Sequence, residues 1–345
     1  MSDVFILGAG FSKAICEHMP LLNDLYPATL AYRLAHGQHV DLGSSRDKGA
    51  GSPRVIEDLE LFLSFLAQEQ PWLTEAENFR NRAEFLEVSR AIAAIILDSQ
   101  NLALRADMPH WLADLLEAWH RDQAAVITFN YDALVEKAAS ASAILIEKEE
   151  PFPYSVLYPV PITNILLRRA GTLGAEPLET FRLLKLHGSL NWYYSGSSSF
   201  YGEQIYDILL NPGWSPDHTD SEEELEERAI DKVPLIVPPT LNKSLYFNNE
   251  TVRSQWILAR RALADAARIF IIGYSLPQGD LMVNFMLALI ESEATIIPVN
   301  PDASLSERLA EVFPRERVDT TYLGLESAVQ SFAEAYDGDS RQEGG

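Results

Sequence analysis

His187 ends the apolar run Leu183-Leu184-Lys185-Leu186 and is followed by Gly188, which permits a sharp exit from a strand. An imidazole with an ordinary pKa of about 6.5 suits general-base work at such a place. Asn130 and Asp132 flank Tyr131 where the run Val126–Phe129 gives way to a helix. They are either polar groups of a site or helix caps, each cap worth about 1 kcal/mol. Gly8-Ala9-Gly10 opens an earlier turn. Glycine there lets the backbone approach a phosphate beside the unpaired N–H groups of a helix start, or simply makes the turn tight. Ser275, after Gly273 and Tyr274, and Asn300, after Thr295–Val299, suit the hydroxyls of a ribose or the needs of a turn.

Each of these groups follows a run of β-type residues. The five segments are Ile6–Ser12, Val126–Asp132, Leu183–Ser189, Ile269–Ser275 and Thr295–Pro301. If the runs are neighbouring strands of one parallel sheet, every turn lies at a carboxyl end, the edge along which open α/β sheets bind ligands. Between the strands the spacing predicts helices near Lys13–His18, Asp132–Ala141, Ser254–Ala267, Leu281–Ile290, Leu305–Phe313 and Leu325–Tyr336, with a further strand at Val318–Tyr322. From about Val55 to His120 apolar residues recur at helical spacing (Ile56, Leu59, Leu63 and Leu66, then Phe85, Val88, Ile92 and Ile95), so this stretch reads as a helical insertion. The expectation is an α/β fold: a doubly wound, Rossmann-like parallel sheet with right-handed crossovers, in a single domain over residues 1–345. Asp41–Pro53 reads as a loop, about 217–228 as an acidic solvated loop or helix face, and 337–345 as a frayed tail.

Composition limits the partners. With 27 Lys and Arg against 50 Asp and Glu, the formal charge is −23, which repels a polyphosphate backbone, so direct nucleic-acid binding is not expected. No apolar run approaches the roughly 20 residues that span a bilayer, and no signal-like segment opens the chain, so no membrane and a cytoplasmic location are expected. The histidines show no metal-ligand spacing and Cys16 is the one cysteine, which excludes a zinc ribbon. The dinucleotide fingerprint G-x-G-x-x-G is incomplete, with Lys13 at its third glycine, and no ribose-binding carboxylate ends a strand about twenty residues later; both features disfavour an oxidoreductase.

In order and character the turns resemble the sirtuin-like NAD-binding fold. Gly8-Ala9-Gly10-Phe11-Ser12 is similar to the family's Gly-Ala-Gly-x-Ser loop and Thr128-Phe129-Asn130-Tyr131-Asp132 to its Thr-x-Asn-x-Asp turn. His187-Gly188 matches the catalytic His-Gly, Gly273-Tyr274-Ser275-Leu276 the ribose loop, and Asn300 the Asn that ends a later strand. The resemblance covers roughly residues 3–300. It departs from protein deacylases, because one cysteine cannot build their four-cysteine zinc module and Met19-Pro20-Leu21-Leu22-Asn23 replaces their Gly-Ile-Pro-Asp-Phe-Arg segment. Leu235–Thr240 stands where a deacylase places its substrate-pairing strand.

What remains is similar to the zinc-free sirtuin-like domains of bacterial antiphage defence. That resemblance implies hydrolysis of NAD to nicotinamide and ADP-ribose, with NAD as substrate and no metal or other cofactor. It implies Asn130 and His187 as the catalytic pair, with Asp132 positioning the nicotinamide-ribose end or capping its helix. Gly8, Ala9, Gly10, Phe11, Ser12, Thr128, Gly188, Gly273, Tyr274, Ser275 and Asn300 would contact the dinucleotide. Such an enzyme needs a trigger, so an activating protein partner or homo-oligomer is expected. The alternative is a regulatory subunit that holds NAD or ADP-ribose without turnover.

Overall fold

The computed structural model describes residues 2–37, 58–147, 150–160, 162–164, 178–195, 205–208, 211–229, 232–237, 249–277 and 279–343. The expected loop at Asp41–Pro53, the first residues of the helical stretch, Gly196–Ser199 and Pro238–Thr240 lie outside them. Five strands form one parallel sheet: β1 (Ser2–Leu7), β2 (Ala125–Thr128), β3 (Arg182–Lys185), β4 (Ala266–Ile272) and β5 (Thr295–Val299). Their spatial order is β5-β4-β1-β2-β3, so the chain builds outward from β1 to one side and then returns to build on the other. This is the Rossmann-like arrangement expected, with its switch point between β1 and β4.

Side-chain alternation divides the core in two. Phe5, Leu7, Val126, Leu183, Phe270 and Ile272 face one layer, filled by helices Leu59–Ala67, Glu75–Ala103, His110–Arg121, Leu134–Ala141 and Ala328–Glu343. Val4, Ile6, Ile127, Leu184, Ile269 and Ile271 face the other, filled by Glu250–Ala264, Leu281–Ala288 and Leu305–Val312. Burial on both faces explains why the strands read as continuous apolar runs. Among the described residues no helix is long and apolar enough to cross a membrane.

The helical insertion comprises the three helices between 59 and 121, the longest opened by a capping box in which Thr74 and Glu77 satisfy each other's backbone N–H groups. Two expectations are corrected. The first helix runs Ala9–Ile15 rather than Lys13–His18, so the glycine turn is itself the first helical turn. Val318–Tyr322 is no strand: only isolated bridges join Ile296 to Val318 and Asn300 to Leu323. Between them Asp319 Oδ1 accepts from the N–H and the hydroxyl of Thr321, a local turn that competes with a ladder. The acidic segment, read as a loop or helix face, contains the helix Glu222–Arg228, capped by Ser221. At the other end of the chain, the backbone of the last helix continues past Tyr336 to Glu343.

Candidate active site

Strand register sets the level of the turns. Leu7 pairs with Thr128 and with Ile272, Thr128 with Lys185, and Ile272 with Val299. One row across the sheet, Lys185–Thr128–Leu7–Ile272–Val299, is thus the last paired level, and all five turns leave from it. Asn130 and His187 each follow two residues past that row on adjacent strands, whose spacing is about 4.8 Å.

The Asn130 amide is held from below. Its Nδ2 donates to Gly8 O and to Ser12 Oγ, each at 2.9 Å, and its backbone N–H donates to Thr128 Oγ1 at 3.1 Å. Because Gly8 O can only accept, the amide has one workable orientation. No hydrogen bond to its Oδ1 is found among the described residues. Ser12 in turn donates to Asp132 Oδ2 at 2.7 Å, and Asp132 Oδ1 accepts the Leu134 N–H at 3.2 Å. Burial raises the Asp132 pKa above the usual carboxylate value, while the nearby Lys185 opposes the shift. Both Asp132 oxygens are therefore engaged inside the protein. Asp132 stands one residue before the N-cap Ala133, so its Oδ1 closes a short turn onto the first helical N–H, and through Ser12 it also holds Asn130.

His187 is pinned through its backbone. Its carbonyl accepts from Val237 N–H at 2.8 Å, the Trp256 indole donates to Leu186 O at 3.2 Å, and Gln255 Oε1 accepts the edge-strand N–H of Lys185 at 2.8 Å. Gly188 has φ +83°, and a Cβ there would lie 2.0 Å from Leu235 O. Only glycine lets the chain turn from the parallel sheet into the strand Gly188–Tyr194, which pairs antiparallel with Val233–Ile236. His187 is 6% exposed, and its imidazole lies 5.0 Å from the Phe129 ring and 6.4 Å from that of Trp256 (centroid distances), with Nε2 3.7 Å from Asp280 Oδ1.

The remaining glycines close the switch point. Gly10 N–H donates to Gly273 O at 2.8 Å and Phe11 N–H to Gly8 O at 2.9 Å. Gly273 has φ +61°, and a Cβ on it would stand 2.2 Å from Phe11 N; one on Gly8 would stand 2.6 Å from Tyr274 Cα. The first and fourth turns thus touch backbone to backbone. Phe11 does not face the edge: its ring packs against Trp111 and Trp119 in the core. Ser12 and Thr128 are buried and act through Asn130. Tyr274 packs its ring 4.7 Å from that of Phe129, while Asn300 ties the last two turns together, its Nδ2 reaching Tyr274 O at 3.4 Å and its Oδ1 accepting Asp302 N–H at 2.9 Å. Ala9 is half-buried and Ser275 exposed.

Two carboxylates at the edge were missed by sequence reasoning. Asp280 precedes helix Leu281–Ala288, where an acidic residue reads as an ordinary cap; Glu60 lies in the helical insertion, with its carboxylate against Gly279. Nothing local marks Glu60, because only folding carries that helix to the fourth turn. A surface cavity of about 890 Å³, bordered by Leu66, Gln70, Leu73, Phe79 and Arg82, belongs to the insertion and includes none of the turn residues.

Beneath the pair lies a buried polar network. Lys185 Nζ donates to Glu136 Oε1 at 2.9 Å and to Asp132 O at 2.5 Å; Tyr158 OH donates to the same Glu136 oxygen at 2.8 Å. Asn191 Nδ2 donates to Tyr158 OH at 3.1 Å and to Asp207 Oδ1 at 2.7 Å. Burial pushes the Asp207 pKa up from 3.8 to about 6. The folded state therefore binds this proton more tightly, and the stabilisation present below pH 3.8 is lost as pH rises through about 6. Asp207→Asn is expected to remove that loss, on the order of 2–3 kcal/mol. Denaturant titrations of both chains from acid to neutral pH test it, and parallel curves would refute it.

The fold and the turns together define an α/β chain of Rossmann-like topology with an amide, an imidazole and two carboxylates at its carboxyl edge. No protein-family model matches the sequence. No curated protein matches it either. Along 99% of its length the chain is similar to 93% of a solved chain described as "Structural Basis for the Mechanism and Regulation of Sir2 Enzymes", at 14% identity and a TM-score of 0.42.

Proposed function

We propose that the chain is an NAD hydrolase that releases nicotinamide and ADP-ribose. The observation that carries the reading is the placement of Asn130 and His187 two residues past one register row on adjacent strands, with the Asn130 amide nitrogen engaged by Gly8 O and Ser12 Oγ. The choice of NAD rests on the ordered likeness of the turns to sirtuin-like loops. In the reaction the C1′–N bond to nicotinamide breaks, with its electron pair going to the ring nitrogen, and a water oxygen bonds to C1′. Asn130 Oδ1 accepts a hydrogen bond from that water or a ribose hydroxyl, and His187 takes the proton. An oxocarbenium-like centre needs positioning and electrostatic support more than covalent help.

Cytoplasmic NAD, an antiphage setting and activation by a protein partner or self-assembly belong to the same proposal. The test is incubation of the purified chain with NAD, alone and with candidate partners, with chromatography of the products. Nicotinamide and ADP-ribose in equal amounts support it; NADH formation, or intact NAD recovered from a tight complex under all conditions, overturns it. Asn130→Ala is expected to lower nicotinamide release by about 10²-fold, the scale of a misplaced reacting group. Activity within a few-fold of the native chain would remove Asn130 from the chemistry.

A further inference from the structure

Asp280 occupies a helix N-cap without capping. Its side chain accepts no capping hydrogen bond at the start of helix Leu281–Ala288, although accepting one is the usual reason for Asp at that position. Its carboxylate turns the other way: Oδ2 accepts from Tyr274 OH at 2.7 Å, and Oδ1 faces His187 Nε2 at 3.7 Å. The residue is 4% exposed, so it gives up solvation for these contacts. Leu276, a buried non-glycine residue, sits at φ +48°, a conformation that costs energy and persists where the surroundings impose it.

We propose that Asp280 is the positioning carboxylate of His187: held by Tyr274, it orients the imidazole with Nε2 inward and supports the imidazolium formed when His187 accepts a proton. The inference rests on the proposed role of His187 as base, but the contact itself does not depend on NAD. A carboxylate facing one ring nitrogen fixes the tautomer and leaves Nδ1 as the acceptor. The present 3.7 Å separation is longer than a hydrogen bond, and such contacts tighten when substrate binds. Tyr274 is suited to the holding role, because burial and the neighbouring Asp280 push its pKa well above the usual phenol value and keep it a donor. Tyr131 and Glu60 are the other titratable groups in this neighbourhood. Tyr131 stays neutral for the same reasons of burial and nearby carboxylates. Glu60 adds negative charge from the helical insertion.

The experiment is a pH titration of the full chain carrying isotope-labelled histidine, followed by NMR, with His187 assigned among the seven histidines by loss of its signal in His187→Ala. Asp280→Asn keeps an acceptor for Tyr274 and removes the charge. It is expected to lower the His187 midpoint by about one pH unit and to shift its tautomer signature. Asp280→Ala, which removes the carboxylate by another route, must move both readouts in the same direction. A His187 midpoint and tautomer unchanged in both variants overturns the proposal. The signal requires no turnover, so an Asp280-dependent His187 in a chain that never cleaves NAD would sink the hydrolase reading and leave this contact standing. Where NAD is cleaved, Asp280→Asn should lower kcat by about 10²-fold with little change in KM and shift the pH–rate limb by the same unit. A loss confined to KM would instead make Asp280 a binding residue and overturn its positioning role.

Discussion

His187→Ala is expected to cut nicotinamide release by about 10²–10⁴-fold, the range that positioned general bases contribute. The substitution leaves the sheet intact, because what holds this segment is backbone: His187 O with Val237 N–H, Leu186 O with the Trp256 indole, and Gly188 in its left-handed turn. Binding of NAD should survive better than turnover, since the imidazole is needed most when the proton leaves water. Circular dichroism and a ligand-binding isotherm on the same preparation separate loss of chemistry from loss of fold. A variant that folds and retains full activity would take His187 out of the reaction and the hydrolase mechanism with it.

Gly273→Ala is expected to destabilise the fold strongly. Its φ of +61° is costly for any residue with a Cβ, and that Cβ would stand 2.2 Å from Phe11 N and 2.4 Å from Gly10 C, both backbone atoms that no rotamer change relieves. The left-handed conformation costs about 1–2 kcal/mol and overpacking a further 1–3 kcal/mol. A total of about 2–5 kcal/mol is a large share of the 5–15 kcal/mol that stabilises an ordinary domain. The loss should appear as a lower denaturation midpoint with unchanged slope. It would also reach the site: Gly8 O, which anchors the Asn130 amide, belongs to the turn that must move. Gly37→Ala offers a control, because Gly37 also has positive φ but a Cβ there meets nothing within 4 Å, leaving only the conformational cost. Equal destabilisation of the two variants would show that the contact between the turns contributes little.

Local pattern made the five strands legible. Val4–Leu7, Ile269–Ile272 and Thr295–Val299 are continuous β-type runs ended by glycine or asparagine, and a strand buried on both faces has to look that way. Asn130 and His187 stand out in the sequence for a related reason: each is a polar residue placed directly after such a run. Val318–Tyr322 looked similar and failed: the Asp319 N–H reaches Ile296 O, but its carboxylate then closes a local turn onto Thr321 and the ladder goes no further. Strand type is a property of a few residues, and so the chain alone carries it.

Strand order and register are not, because they depend on which faces pack across more than a hundred residues. Only the folded chain puts Gly8 against Tyr274 and shows that these glycines serve a contact between two turns as well as any ligand. Only the folded chain turns Asp132 toward Ser12 and Asp280 toward His187, although both acids stand beside helix starts in the sequence. An acidic residue before a helix has the same local pattern whether it caps that helix or reaches another strand. The choice is made by what tertiary packing places within about 3–4 Å, the range over which hydrogen bonds and charge contacts act.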